Sequence, residues 1–437
     1  MKYTSLICFL FLTAPVWAQP ALPDELRVLI GQANTHFPRL KEQQALVQAG
    51  ELRTDIARTA LQPVVSANAS YQYINPVPKA NLPVNGRDVS VQFQPNHNGN
   101  ASLNVAVPIY DWGRTRANVA RAQDDVQLAK DNLELTRFNL AYQVAGAYYG
   151  IGFLQRSLAV QDSVIKTATG NIQVIANRLR NGDALQFDVL TQQVRLETAK
   201  NRKIDIQNQL DRQRALLTYL TGVPTAAQTI GEAARRFDGF GALPATDQTD
   251  ALAQTAQGAN RELVLVQDRV RQAEADIRST QLAARPSLSF SGAAGYRNGY
   301  LPEINRLRFN EVAGVNLSVP LYAGKRYKLQ EQAAQVNLTA SRYAVETANA
   351  QLRQNIEQTL ADMRANAARL QNLSTAVAQA DKALALAQTR LRNGVITPVE
   401  LQAAETGVEE ARLAQLSFQY QLLLNQLELK RLLGENL

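Results

Sequence analysis

The pentapeptide "RLRNG" stands at Arg178–Gly182 and again, letter for letter, at Arg390–Gly394, 212 residues further on. Each copy ends a long proline-free stretch: no proline occurs between Pro108 and Pro224, or between Pro320 and Pro398. A glycine after an Asn, with Arg in the preceding turn, is how a helix ends when the chain must adopt positive φ and turn back. The repeated pentapeptide therefore marks two helical hairpins.

Working outward at the same offset, "NVAVPIY" (104–110) falls on "NLSVPLY" (316–322), Asp188 on Glu400 and Gly222 on Gly434. Upstream of the strands the offset becomes 223, with Pro63 on Pro286 and Leu40 on Leu263. The chain is thus a tandem duplication whose first copy carries about eleven extra residues between Pro63 and Asn104, where a loop can grow. Each copy reads as a helix, two strands around a loop, a very long helix, a turn and a shorter returning helix.

The expected boundaries follow. The first repeat covers 19–222: an upstream helix over 24–61, strands near 64–73 and 101–109, a long helix over 113–181 and a returning helix over 185–220. A linker follows at 223–246. The second repeat covers 247–437: an upstream helix over 247–284, strands near 286–296 and 312–322, a long helix over 325–392 and a returning helix over 398–433. Asp183 is expected to help start the first returning helix, and Pro398 to take a first-turn position in the second.

In the first long helix Leu140, Val144, Ala147, Ile151, Leu154, Leu158, Ile165, Ala168, Ile172, Ile175 and Leu179 recur at alternating spacings of three and four. Gln161 is the one interruption, and the pattern is the heptad seam of helices that supercoil on neighbours. The second copy keeps the register at Met363, Leu370, Val377, Ala380, Leu384, Ala387 and Leu391. At 1.5 Å per residue such a helix is on the order of 100 Å long, beyond what a globular core requires. An upstream helix and a returning helix, end to end, match one long helix.

The strand segments alternate with period two. Val65, Ala67, Ala69, Tyr71 and Tyr73 oppose Ser66, Asn68, Ser70 and Gln72, and Val315, Leu317, Val319 and Leu321 oppose Asn316 and Ser318. Their length, their apolar face and their small polar face of Ser, Asn and Gly suit tilted strands between lipid and a water-filled lumen. Tyr71, Tyr73 and Tyr296 suit an interfacial girdle. Four strands cannot close a barrel, and open edges in lipid leave backbone groups unsatisfied. Three copies sharing one barrel of twelve strands resolve this.

Composition narrows the function. The first eighteen residues, with Lys2, the apolar run Leu6–Leu12 and the small residues Val16 and Ala18, read as a secretory signal peptide. The only cysteine, Cys8, lies inside it and is poorly placed for lipidation, so the mature chain is expected to lack disulfides and thiolate ligands. The net charge of +8 is spread over Arg-dotted helices with few aromatics, which argues against nucleic-acid binding. His36 and His97 are the only histidines, 61 residues apart. No catalytic, cofactor or metal constellation is expected, and the acids of the rods read as a solvated face.

These features together resemble the TolC-like outer membrane efflux proteins. The resemblance covers nearly the whole mature chain and includes the duplication, the junctions "VPIYDWGR" and "VPLYAGKR", and glycine turns followed six residues later by an acid, in "RNGDALQFDVL" and "RNGVITPVEL". It implies a mainly α protein with a transmembrane β-barrel: a homotrimer in the Gram-negative outer membrane whose twelve-stranded barrel, set in outer-membrane lipid, continues into a long periplasmic α-helical barrel of coiled-coil hairpins. It implies export of substrates handed over by an inner-membrane transporter and a periplasmic adaptor, or membrane fusion, protein. The adaptor-docking tips would be Arg178, Arg180, Asn181, Gly182, Arg390, Arg392, Asn393 and Gly394. Asp188 and Glu400 match acids that line the periplasmic entrance constriction in the family's best-known member. That member has a further aspartate where this chain has Ala403, and an arginine where it has Ile396, so its cation-binding ring is only partly matched. A periplasmic adaptor or coiled-coil scaffold without a pore is the competing reading.

Overall fold

The computed structural model describes residues 22–84, 86–224, 237 and 249–437. The proposed signal peptide and most of the proposed linker lie outside the described residues. Among these described residues eight α-helices and six strands follow in chain order: α1 (Asp24–His36), α2 (Pro38–Arg58), β1 (Val64–Tyr73), β2 (Lys79–Val84), β3 (Arg87–Gln92), β4 (His97–Tyr110), α3 (Arg114–Arg180), α4 (Gln186–Thr221), α5 (Thr249–Ala259), α6 (Arg261–Ala283), β5 (Ser287–Arg297), β6 (Arg308–Ser318), α7 (Arg326–Arg392) and α8 (Pro398–Leu432). The two long helices, α3 and α7, are each 67 residues and unbroken. None of the described helices is long and apolar enough to cross a membrane.

Three expectations are corrected. Each upstream helix is two helices. Pro38 holds Phe37 in extended backbone (φ −57°, ψ 115°) between α1 and α2, as the residue before a proline must be. Asn260 parts α5 from α6, its side-chain amide donating to the Leu432 carbonyl at 2.9 Å. Secondly, the insertion in the first copy is no plain loop, since β2 and β3 pair as an antiparallel hairpin from Lys79↔Gln92 to Val84↔Arg87. Thirdly, β6 runs four residues earlier than expected and stops at Ser318, leaving Val319 and Leu321 beyond it.

The chain gathers into two compact units. One comprises residues 41–134 and 262–348 and contains the sheet. Its four main strands are all antiparallel in the order β1-β4-β5-β6, so β1 and β6 are open edges. The register puts Val65, Val105, Gly292 and Ala313 in one row, and Ala69, Ala101, Tyr296 and Phe309 in another. On the opposite face the rows are Asn68, Ser102, Gly295 and Asn310, and Ser66, Asn104, Ala293 and Val312. The apolar face is bare in a single chain: Val65, Tyr71, Leu103, Phe309 and Val315 are all more than half exposed. At both strand-to-helix junctions two successive residues take positive φ, Trp112 and Gly113 in the first copy and Gly324 and Lys325 in the second. Asp111 then caps α3, accepting from the backbone N–H of Gly113 (3.1 Å) and Thr115 (2.6 Å).

The other unit comprises residues 22–40, 135–261 and 349–437. The heptad seam of α3 forms its core: Leu140, Val144, Ala147, Ile151, Leu154, Ala168 and Ile175 are buried, as are Met363, Ala387 and Leu391 of α7. Gln161, the interruption in that seam, is fully buried (0% exposed) and donates to the Ala199 carbonyl at 3.2 Å. Here α1 meets the end of α4, with Phe37 edge-on to Tyr219 at 5.6 Å. Gly222 lies so close to His36 that a Cβ would sit 2.2 Å from the ring. Its repeat equivalent, Gly434, is pressed in the same way onto the Ala259 carbonyl at the end of α5.

Candidate functional site at the hairpin tips

The two copies of "RLRNG" close their helices by the same hydrogen-bond pattern. In the first, Gly182 N–H donates to Leu179 O (3.0 Å) and Asp183 N–H to Arg178 O (2.8 Å). In the second, Gly394 N–H donates to Leu391 O (3.0 Å) and Val395 N–H to Arg390 O (2.9 Å). This is the Schellman arrangement, which satisfies the last carbonyls of a helix and needs a left-handed residue at the turn. Gly182 (φ 85°) and Gly394 (φ 72°) supply it.

Each returning helix then begins on the acid six residues past its glycine. Thr397 accepts through its hydroxyl from the Glu400 backbone N–H (3.3 Å), while a Glu400 carboxylate oxygen accepts from the Thr397 N–H (2.7 Å) and hydroxyl (3.0 Å). With Pro398 at the first helical position this is a complete capping box. The Thr397 amide and hydroxyl hold the Glu400 carboxyl below its ordinary pKa. The first copy has half of the device: Asp188 accepts through its carboxylate from the Leu185 N–H at 2.9 Å, while the Leu185 side chain has no acceptor and the Asp188 N–H donates to the Leu185 backbone carbonyl at 3.0 Å instead. Asp183 is not the cap it was expected to be, because it belongs to the turn, and Leu185 is the residue that precedes α4 at the cap position. Both proposed constriction acids thus first serve to start a helix.

The two tips lie against one another. The Arg178 guanidinium donates to the Leu391 carbonyl at 2.8 Å. A cavity of about 420 Å³ between the tips is lined by Arg178, Gly182, Asp188, Gly394, Ile396 and Thr397, among others. Beneath the second turn Ala387, Leu391 and Leu401 form a small buried core with Leu384, Ile396 and Ala404 against it. Arg180, Asn181, Arg390, Arg392 and Asn393 are exposed. Of the tip residues, then, Arg178 ties one turn to the other, the glycines shape them, and the rest face outward.

Sequence reasoning missed a buried ionic cluster between the returning helices. Arg195 of α4, its side chain 8% exposed, lies 3.1 Å from the Glu405 carboxylate of α8, which is 4% exposed. It also donates to the Gln402 carbonyl (3.1 Å) and the Thr406 hydroxyl (2.8 Å). Arg202 pairs with buried Glu409 at 2.7 Å, and Asn171 of α3 donates to Glu405. Burial raises the Glu405 pKa, against the opposing pull of Arg195. These glutamates correct the reading of the rod acids as a solvated face. Among the described residues no group of three or more His, Cys, Asp or Glu is placed to hold a metal ion.

Comparison with known proteins places these features in a family. The family model described as "Outer membrane efflux protein" matches residues 29–223 and 252–435, one stretch per repeat. The chain is 25% identical over 431 residues to outer membrane protein TolC of Salmonella enteritidis, covering 94% of this chain and 82% of that protein. It is 20% identical to outer membrane efflux protein BepC of Brucella suis, over 84% of this chain and 75% of BepC. Among solved structures, outer membrane protein VceC from Vibrio cholerae superposes with a TM-score of 0.72 at 19% identity, covering 94% of this chain and 96% of that one. CusC superposes at 0.76 with 15% identity, covering 96% of both chains.

Proposed function

The chain belongs to the outer membrane efflux protein family, and on that premise we propose that it is the outer-membrane duct of a tripartite efflux or type I secretion system. Three copies pool their four-stranded sheets into a barrel of twelve, and their helical hairpins form the periplasmic tunnel leading to it. An inner-membrane transporter and a periplasmic adaptor deliver the substrate, and the adaptor grips the ring of six tips. The duct itself does no chemistry and takes its specificity from the transporter it serves.

One observation carries this reading: the sheet has two unpaired edges and an unpartnered apolar face in a single chain. In lipid the edges leave backbone groups without partners, so the sheet needs further copies of itself. Asp188 and Glu400, repeated three times, place six carboxylates around the entrance. The Glu400 capping box uses only one carboxylate oxygen, so capping and cation attraction are compatible.

The experiment is heat-modifiable mobility of the protein in the outer-membrane fraction, read beside dye export in a strain lacking its own duct. Export and a heat-labile oligomer are expected. A protein confined to the soluble periplasm contradicts the duct and favours a scaffold.

A further inference from the structure

The duplication makes a statement about the contacts between copies. In a ring of three, the relation that carries α4 onto α8 also carries α8 onto α4 of the next copy. Every α4–α8 contact inside one chain therefore has a counterpart between chains, found by exchanging residues 212 apart. This step rests on the trimeric reading given above.

Inside the chain the contact is ionic, built by Arg195 on Gln402, Glu405, Thr406 and Glu409. In the counterpart, Gly407 takes the place of Arg195, Leu190 that of Gln402, Gln193 that of Glu405, Val194 that of Thr406 and Glu197 that of Glu409. Ala414 likewise stands for Arg202, and Ala383 for Asn171. Only one carboxylate survives the exchange, Glu197, and it already pairs with Lys200 at 2.7 Å on its own helix.

The residues on the counterpart positions, half-buried Ala414 excepted, are exposed in the single chain. Leu190 is 51% and Val194 67% exposed. Gly407 is exposed within α8, and apart from its chain neighbours and the adjoining backbone of its own helix no atom comes within 4 Å of where its Cβ would be. A glycine inside a helix costs roughly 1 kcal/mol relative to alanine, and nothing in its own chain requires one. Close approach of another helix does.

We propose that the strip of Leu190 and Val194 on α4 is the docking surface for a second copy of this chain, whose α8 lays its Gly407 face against it. The tunnel wall near the entrance then alternates two kinds of seam: a buried ion network within each protomer, and an apolar seam with a glycine contact between protomers. At the exchanged positions the seam between protomers therefore carries no counterpart of the Arg195 network.

The test uses the full chain in outer-membrane extracts, where Cys8 is the only native cysteine. Differently tagged chains carrying Leu190→Cys alone and Gly407→Cys alone are co-expressed and treated with a short thiol-to-thiol crosslinker. A band of two chains carrying both tags is expected, and each variant alone gives none. Native mass of the unsubstituted protein reports the copy number separately. Trimers without the mixed crosslink overturn the seam; an unsubstituted protein that is not trimeric overturns the reading beneath it. As a second variant, Gly407→Trp is expected to lower the trimer fraction at least tenfold with unchanged helical circular dichroism, and intact trimers contradict the proposal.

Discussion

At the scale of single residues, the ions of the rods decide most. Arg195 is shared by two buried glutamates, so Arg195→Ala leaves the Glu405 carboxylate without a cation in a place water reaches poorly. Breaking a buried pair from one side costs about 3–5 kcal/mol. Thermal unfolding in detergent is expected to show a loss near the lower end of that range, because Arg202 still pairs with Glu409. The joint change Arg195→Met with Glu405→Met should recover most of it. A third buried acid, Asp268 of α6, has its pKa raised to about 6 by burial first and then by a hydrogen bond shared with Asp131, with Asp124 adding to it and Arg271 opposing. A carboxyl group whose folded pKa lies above its unfolded value of 3.8 favours folding while protonated. Its contribution is therefore lost as pH rises from about 4 to about 6. Asp268→Asn is expected to raise the unfolding midpoint at pH 7.5 and to flatten its dependence on pH across that window, as measured by calorimetry. An unchanged profile would mean that the proton is not taken up there.

The elements show what a sequence pattern carries and what it hides. The hairpins were legible because a period of 3.5 residues and a terminal glycine are local signals, and the fold class followed from them together with the alternating strands. Pro38 is a visible break between α1 and α2, whereas the break at Asn260 depends on a hydrogen bond to Leu432, more than 170 residues away, which no local pattern announces. The hairpin of β2 and β3 was partly legible, since Asp88, Ser90 and Gln92 alternate with Val89 and Val91, but lying in an insertion it read as loop. Glu405 and Glu409 stand four apart on a helix, a spacing that suits a solvated stripe equally well. Only the position of Arg195 opposite them makes them a buried cluster. At the tips, Gly182→Val and Gly394→Val force a β-branched residue into the left-handed region at about 1–3 kcal/mol each. Each is expected to weaken dye export while leaving the oligomer in the membrane, and undiminished export in both would count against adaptor docking at the tips. The cap of α8 offers a gentler probe. The Glu400 carboxylate is held ionised by Thr397, so its contribution is present above the ordinary carboxyl pKa and fades as pH falls through the lowered folded value. The protection factor of the Thr397 amide, its exchange rate taken relative to the free-peptide rate at the same pH, should fall on acidification and be low at every pH in Glu400→Gln.

For the whole molecule, the account joins two demands that one chain cannot meet alone, closing a sheet and covering the exposed faces of its hairpins. Three copies meet both. In such a ring Asp188 and Glu400 occur three times each around the entrance, and bilayer conductance is expected to favour cations. Asp188→Asn with Glu400→Gln should reduce the permeability ratio of potassium over chloride several-fold, and a ratio that survives the change assigns selectivity elsewhere. The central claim is the sharing of one barrel, and electron cryomicroscopy of the protein extracted from outer membranes tests it most directly. The account predicts a three-fold particle whose barrel contains twelve strands, four from each chain. Any other copy number, or a sheet closed within a single chain, would contradict it.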